Sequence, residues 1–527
     1  MEKPDFIKDF EKPTNTEIKH IGEKWYLYAY SNHYDPSKKR SKKISGRCLG
    51  RISEEGKLIK CRKRQVLEED LRISDTVSVG LPLFLWDRTA LLRERLQRHF
   101  PDLWRMIYVI ALLRVCNDCR FKRLGLHYEH SLLAYLFPRI SLHPTNLANL
   151  LNLIGKSREA IREFLQEDLT KKEAFILFDG HRLITASKTM EYAEIGYDSK
   201  MRYKPQINLL YIFSLEEVGA PLYYKQYVGS TPDVSAFSDI LTEAKITGKN
   251  YTVIADKAFG SQDDFALMDE FQIKNIIPLR RGNQYIKGRI PAGPSGYAHG
   301  FVYHGRGIHA NTYKYGDFNV HLYLDSQLYS DEYADSVTRL EKSNNAIAKR
   351  RELEERRRAS GKGKLTDAEL ALLVPKEIKQ MHEENPEMGT VTIRTNRLDL
   401  NAQQVYEIYK QRQEIEQFFK TYGDTMEFEA SYMRNTTTQE AWFFLNHLSS
   451  MIGTGLIQEI AHLGESKNVS LKDLIQTYSK ITASKIGGKW QVAPIKKSVK
   501  TLLQKMKTSI TDADVEKAME EASSIAP

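Results

Sequence analysis

Hydrophobic positions along the chain follow two periods in succession. From about Leu81 to Leu169 they recur at helical spacing. Trp104-Arg-Met-Ile-Tyr-Val-Ile-Ala-Leu-Leu-Arg114 has a broad apolar face. Thr145 to Ile154 repeats leucine every three or four positions, with Thr145 or Asn146 placed as a cap. A helix-turn-helix fits this stretch, as does any helical bundle. From Glu173 the period shortens. Phe175-Ile-Leu-Phe178 reads as a buried strand ending in Asp179-Gly180-His181, and Lys204 to Phe213 and Pro221 to Tyr227 follow as strands. A helix is expected over Val234 to Lys245, with Asp233 favourable at its N-terminus. Tyr251-Thr-Val-Ile-Ala255 is a second buried strand, ending in Asp256. Ser261 caps a helix over Asp263 to Phe271, and Lys274 to Leu279 is the next strand. Hairpins first and strand–helix alternation afterwards predict a mixed α/β sheet.

The flanks differ in texture. Trp25 to Lys60 reads as a small β unit with turns at Asp35-Pro36-Ser37 and Glu54-Glu55-Gly56. Residues Arg281 to Met388 interrupt the α/β pattern. Their first part, Tyr285 to Tyr323, is β-rich, and Arg339 to Arg358 is a charged helix that fits an exposed arm better than a direct DNA contact. Thr390 to Thr395 is again a strand, followed by a long helix over Asn401 to Tyr422. Thr436 to Lys507 is expected to be helical with Trp442, Phe443 and Phe444 in the core, and the polar tail after Thr508 to fray. The resulting division is 1–75, a basic β unit; 76–168, helical; 169–280, the first part of the α/β core; 281–388, an insertion; 389–450, the second part of the core; and 451–527, helical.

A chain of 527 residues with 41% hydrophobic and 28% charged residues has ample material for several packed units, which excludes global disorder. It contains no apolar run long enough to span a membrane, and the charged Met1-Glu2-Lys3-Pro4-Asp5 start lacks the apolar stretch of a secretory signal. A soluble protein of the cytoplasm is the expectation. The net charge is +10, and Ser31 to Arg64 holds nearly all of it, with twelve cations against three anions. Lys38, Lys39, Arg40, Lys42, Lys43, Arg62, Lys63 and Arg64 are the candidate contacts to a polyanion. A merely solvated surface is the competing interpretation. Cys116-Asn-Asp-Cys119 with His127 and His130 has the outline of a zinc site. However, Arg114, Val115, Arg120 and Phe121 continue a helix and no second pair follows, so reduced, helix-borne thiols fit better.

Two carboxylates close buried strands, Asp179 and Asp256. One acid at a strand end means little, but two in one sheet suggest a pair for Mg²⁺, which takes one or two carboxylates plus water and phosphate oxygens. The helix beyond the insertion offers a third. Tyr409, Arg412 and Glu416 share one helical face by their spacing, with Ile415, Phe418 and Phe419 beside it as anchors. Taken alone, the spacing of Arg412 and Glu416 fits a surface ion pair better than a catalytic pair.

Taken together, these blocks resemble the DDE transposases of prokaryotic insertion sequences, in the group with a Tyr-x2-Arg-x3-Glu-x6-Lys signature. Leu177-Phe-Asp179-Gly-His181, with Ser187 downstream, is similar to the first-acid block. Ile254-Ala-Asp256-Lys-Ala-Phe-Gly-Ser-Gln-Asp-Asp-Phe265, running on to Ile276-Ile-Pro-Leu-Arg280, is similar to the second. Thr395-Asn396 followed by Tyr409, Arg412 and Glu416 is similar to the third. The N-terminal Tyr28-Ala-Tyr-Ser-Asn-His-Tyr-Asp35 also resembles long members of the group, and the likeness covers most of residues 25–450. Two positions depart: Gly423 stands where the signature lysine belongs, with Lys420 one turn from Glu416, and Lys257 stands where arginine is common.

The resemblance implies an RNase H-like catalytic fold interrupted by a β-rich insertion before the glutamate. It implies Asp179, Asp256 and Glu416 as a triad holding two Mg²⁺ ions, with Mn²⁺ able to substitute. Tyr409, Arg412, Lys420 and Lys257 would contact DNA. The implied activity is binding of terminal inverted repeats in double-stranded DNA, cleavage and strand transfer, by a homodimer with no membrane partner. Two alternatives stand beside it: an RNase H-like nuclease without strand transfer, and a non-catalytic DNA-binding protein derived from a transposase.

Overall fold

The computed structural model describes residues 3–35, 40–60, 74–116, 121–169, 174–196, 203–215, 219–246, 251–379, 381, 385–413 and 430–525. The chain forms two compact units, one of residues 1–88, 125–140 and 472–527, the other of residues 89–124 and 141–471. The helices expected between Leu81 and Leu169 are divided between them.

The first unit begins with an antiparallel sheet of β1 (Thr16–Ile21), β2 (Lys24–Asp35), β3 (Arg40–Ile52) and β4 (Leu58–Lys60), in sequential order. Leu27 and Ile52 are buried, whereas Tyr26, Tyr28 and Tyr30 alternate with them and stay half-buried. β1 adds a strand to the unit expected from Trp25 onward. The next strand, β5 (Ser74–Ser78), pairs with segments from the far end of the chain.

In the second unit the central sheet contains β6 (Ala174–Thr185), β7 (Glu194–Ile195), β8 (Pro205–Ser214), β9 (Pro221–Val228), β10 (Tyr251–Ile254), β11 (Lys274–Pro278), β12 (His299–Tyr303), β13 (Arg306–Lys314), β14 (Asn319–Asp325), β15 (Thr390–Thr395) and β16 (Ala430–Ser431). Its path is β12-β13-β14-β15-β11-β10-β6-β8-β7, with β9 beside β8 and β16 beside β6. β10 runs parallel to β6 and β11, and the β6–β8–β9 pairings are antiparallel. This is the predicted mixed α/β, RNase H-like arrangement. The insertion interrupts the chain without interrupting the sheet. β14 pairs with β15 over six registered residues, so the hairpins of the insertion extend the sheet edge. The charged helix is longer than its charge pattern showed, Ser326–Ala359.

The helix Thr436–His462 buries most of its residues, Trp442, Phe443 and Phe444 among them, against Trp104–Cys116 and Pro144–Lys156. Gly155 is required there: a Cβ on it would lie 1.8 Å from the Thr437 carbonyl oxygen. The Pro144–Lys156 helix is capped by His143 with Pro144 at its first position, not by Thr145 or Asn146. Proline's fixed φ suits that first turn and places the cap at the residue before it.

The remaining strands, β17 (Thr482–Ile486) and β18 (Lys489–Val492), return to the first unit and join β5 in an antiparallel three-stranded sheet. They correct the expectation of continuous helix to Lys507. Gly487 and Gly488 both have positive φ, 57° and 83°, as a tight two-residue hairpin turn demands. The tail is likewise ordered rather than frayed. Thr511 and Asp514 form a reciprocal capping box for the helix Asp512–Ser524, which buries Val515 and Ala518. Trp86 Nε1 donates to Glu521 at 2.6 Å and anchors that helix.

Candidate active site

The two acids lie on neighbouring chain segments, but only Asp256 stands past a strand end; Asp179, expected to close its strand, sits inside β6, which runs on to Thr185 because its pairing with β8 continues. β10 and β6 are parallel neighbours, registered from Tyr251 opposite Ala174 to Ile254 opposite Leu177. Asp256 and Asp179 each lie two residues beyond the last registered pair of these neighbouring strands. The local sequence explains the placement. Ile176, Leu177, Phe178, Val253, Ile254 and Ala255 are all fully buried, so the strands are anchored up to the point where the acids emerge. β6 continues past half-buried Asp179, which is registered opposite Tyr211 of β8. β10 instead ends, and Asp256 leaves the sheet as the cap of the short turn Lys257–Phe259.

Asp256 Oδ1 accepts from the Lys257 backbone N–H at 2.7 Å and lies 3.5 Å from Arg412 Nη1. The Asp256 side chain is 42% exposed while that of Arg412 is 11% exposed, so a buried cation faces an accessible carboxylate. Lys257 is exposed beside it. Arg412 comes from the helix at 402–413, whose start is fixed by reciprocal bonds: Asn401 Oδ1 accepts from Gln404 N–H at 2.9 Å, and Gln404 Oε1 from Asn401 N–H at 3.0 Å. Tyr409 is on the same helix and half-buried.

Thr395 and Asn396 have a local role. Thr395 Oγ1 donates to the Asn275 carbonyl at 2.6 Å, Asn396 Oδ1 accepts from Asn275 N–H at 2.7 Å, and Asn396 Nδ2 donates to the Ile273 carbonyl at 3.1 Å. The side chains continue the β11–β15 ladder where the backbone pairing stops, and so direct the chain toward the Arg412 helix. Ser261 caps the helix Gln262–Glu270 in a capping box with Asp264, as expected. Asp233 is the first residue of the helix Asp233–Glu243.

Glu416, Lys420 and Gly423 lie outside the described residues, as do Lys38, Lys39, Arg62, Lys63, Arg64 and Cys119. Arg40 and Lys43 are exposed on β3, Lys42 belongs to the same strand, and Lys43 Nζ stands 4.0 Å over the Tyr30 ring while pairing with Glu17 at 2.8 Å. That pairing, a hydrogen bond from Ser45 and the nearby Lys19 hold the Glu17 carboxyl down at about 2. Cys116 is buried at the end of its helix. No helix among the described residues is long and apolar enough to cross a membrane.

Among the described residues no three metal-ligating side chains converge. The donor set nevertheless fits Mg²⁺. One carboxylate, Asp179, lies on β6 and the other, Asp256, just past the end of its parallel neighbour β10, and Asp256 Oδ2 has no protein partner among the described residues. Sequence reasoning missed a second buried polar group, in which Arg158 bridges Glu440 at 2.7 Å and Glu243 at 2.5 Å. No local spacing could have shown it.

Residues 170–452, more than half of the chain, match a family model described as Transposase DDE domain. The matched span includes Asp179, Asp256, the insertion and Arg412. Among curated proteins, none matches the chain.

Proposed function

The chain belongs to the DDE transposase family, and from that membership we propose that it binds the terminal inverted repeats of a mobile element, hydrolyses a phosphodiester at the element's end and transfers the freed 3′ hydroxyl to a target phosphodiester. The observation that supports this is that β10, which leads into Asp256, runs parallel beside β6, which carries Asp179. These two carboxylates would hold Mg²⁺, or Mn²⁺ in its place, and Glu416 would complete the set. When bound, the ions supply charge stabilisation at the phosphate oxygens and lower the pKa of water.

The rest falls to the chain's own residues. Arg412, 3.5 Å from Asp256, orients that carboxylate and offsets repulsion from a neighbouring acid. Lys257, exposed beside Asp256, and Lys420 and Tyr409 supply cations and a hydroxyl that fix the phosphate backbone in register. The N-terminal sheet supplies further DNA contacts. Its Arg40, Lys43 and Arg47 project from one exposed strand, and Lys38, Lys39, Lys42, Arg62, Lys63 and Arg64 add to the charge. Two copies on DNA, one at each end of the element, would complete the assembly.

The test is a joining assay with the full chain, Mg²⁺, a duplex carrying the inverted repeat that flanks the gene, and a supercoiled target plasmid. Joined products are expected. Nicking without joining would point to a simple nuclease, and specific binding without nicking to a non-catalytic DNA-binding protein.

A further inference from the structure

One fully buried carboxylate ties the insertion to the helix that carries Arg412. Asp325 ends β14 and is 0% exposed. Its Oδ1 accepts from the backbone N–H groups of Gln327 and Leu328 at 3.0 and 3.1 Å, capping the helix Ser326–Ala359. Its Oδ2 accepts from the Tyr406 hydroxyl at 3.0 Å and lies 3.6 Å from Arg306 Nη1. Tyr406 belongs to the 402–413 helix and is itself fully buried, with the rings of Tyr323, Tyr303 and Phe301 centred 4.9, 5.5 and 5.7 Å away. The Tyr323 hydroxyl donates to the Ala402 carbonyl at 2.7 Å and holds the first turn of that helix. One turn after Tyr406, buried Lys410 places its ammonium 5.2 Å over the Tyr406 ring, and burial lowers its pKa.

A helix cap does not require this arrangement. Serine, threonine or asparagine would serve Gln327 and Leu328 equally well. Burying a carboxylate and a phenol together costs free energy that only well-placed partners offset. What the bond to Tyr406 adds is a fixed rotation of the 402–413 helix about its axis. Arg412, six residues on, meets Asp256 only at that rotation, since each residue turns the helix by about 100°.

We propose that Asp325 and Tyr406 are positioning residues for DNA cleavage, locking the signature helix so that Arg412 meets Asp256, which makes the insertion part of the active-site scaffold. This rests on the nucleolytic function proposed above. Tyr406→Phe is the main test because it keeps the ring and removes only the hydroxyl. Single-turnover nicking should fall about 10- to 100-fold, as misplacement of a site by about 1 Å can do, with DNA affinity unchanged. Asp325→Ser, which keeps the cap and loses the Tyr406 bond, should show the same loss. In an Arg412→Ala background Tyr406→Phe should have almost no further effect, whereas a merely structural loss would add in full. Hydrogen exchange gives a readout independent of activity: amides of the 402–413 helix should exchange faster in Tyr406→Phe while those of β10 do not. Nicking within twofold of the unsubstituted chain, or full additivity with Arg412→Ala, would overturn the inference. A chain that nicks nothing would count against the proposed function, and unchanged protection of the 402–413 helix would then overturn the positioning role separately.

Discussion

Replacing Arg158 by methionine should destabilise the second unit by about 3 kcal/mol at pH 8, and the magnitude follows from what Arg158 leaves behind. Arg158 stands between Glu440, whose side chain is 6% exposed, and Glu243, 18% exposed. Methionine keeps the apolar stem and removes the charge. Removing one partner of a buried pair costs about 3–5 kcal/mol, because the remaining charge stays desolvated. Here the lower end applies. Glu440 keeps hydrogen bonds from the Tyr224 hydroxyl at 2.9 Å and Gln226 Nε2 at 2.8 Å, and Glu243 keeps Lys225 and the Tyr223 hydroxyl. Urea unfolding at pH 8 measures it. Adding Glu440→Gln should restore most of the loss, since a neutral amide accepts and donates in the same place. A loss below about 1 kcal/mol at pH 8, or a double variant no more stable than the single, would refute the reasoning.

Other consequences are as direct. His447 and His321 are fully buried, and burial pushes them down to about 3 and about 4. Both folded values lie below the ordinary histidine value, so the unfolded chain takes up protons first and stability is lost as pH falls below about 6.5. At pH 5 each histidine should cost about 2 kcal/mol relative to pH 6.5, and His447→Gln should flatten the dependence of the melting temperature on pH by its share. Gly155→Ala should cost about 1–3 kcal/mol in urea unfolding, because a Cβ there meets the Thr437 carbonyl and the two helices must part.

How much of this was legible depends on range. Phe175 to Phe178 and Val253 to Ala255 are apolar on both faces, so their strands could be read locally, whereas the continuation of β6 past Asp179 to Thr185 could not. The Ser261 cap and the Trp442–Phe444 core are local too. The Gly487-Gly488 turn and the Thr511-x-x-Asp514 box were also local signals, masked by the helical and polar texture around them. What could not be read is pairing at a distance. Nothing in residues 319–325 says that β14 will lie against β15 beyond a long helix, and Arg158 gives no sign of Glu440. Asp325 resembles an ordinary helix cap until Tyr406 is placed against it. For the site, Arg412 lies 3.5 Å from Asp256, whereas the roles of Asp179, Asp256, Glu416 and Lys420 rest on their motifs.

The central claim is that Asp179 and Asp256 together carry the chemistry. The most direct measurement is Mg²⁺-dependent nicking of a duplex bearing the element's end, comparing the unsubstituted chain with Asp179→Asn and Asp256→Asn and with exposed Glu270→Gln as control, DNA binding being measured in parallel. Each Asp variant should bind DNA normally and nick about a thousandfold more slowly or less, the equivalent of about 4 kcal/mol of transition-state stabilisation, while the control nicks at the full rate. Undiminished nicking by either Asp variant would contradict the account.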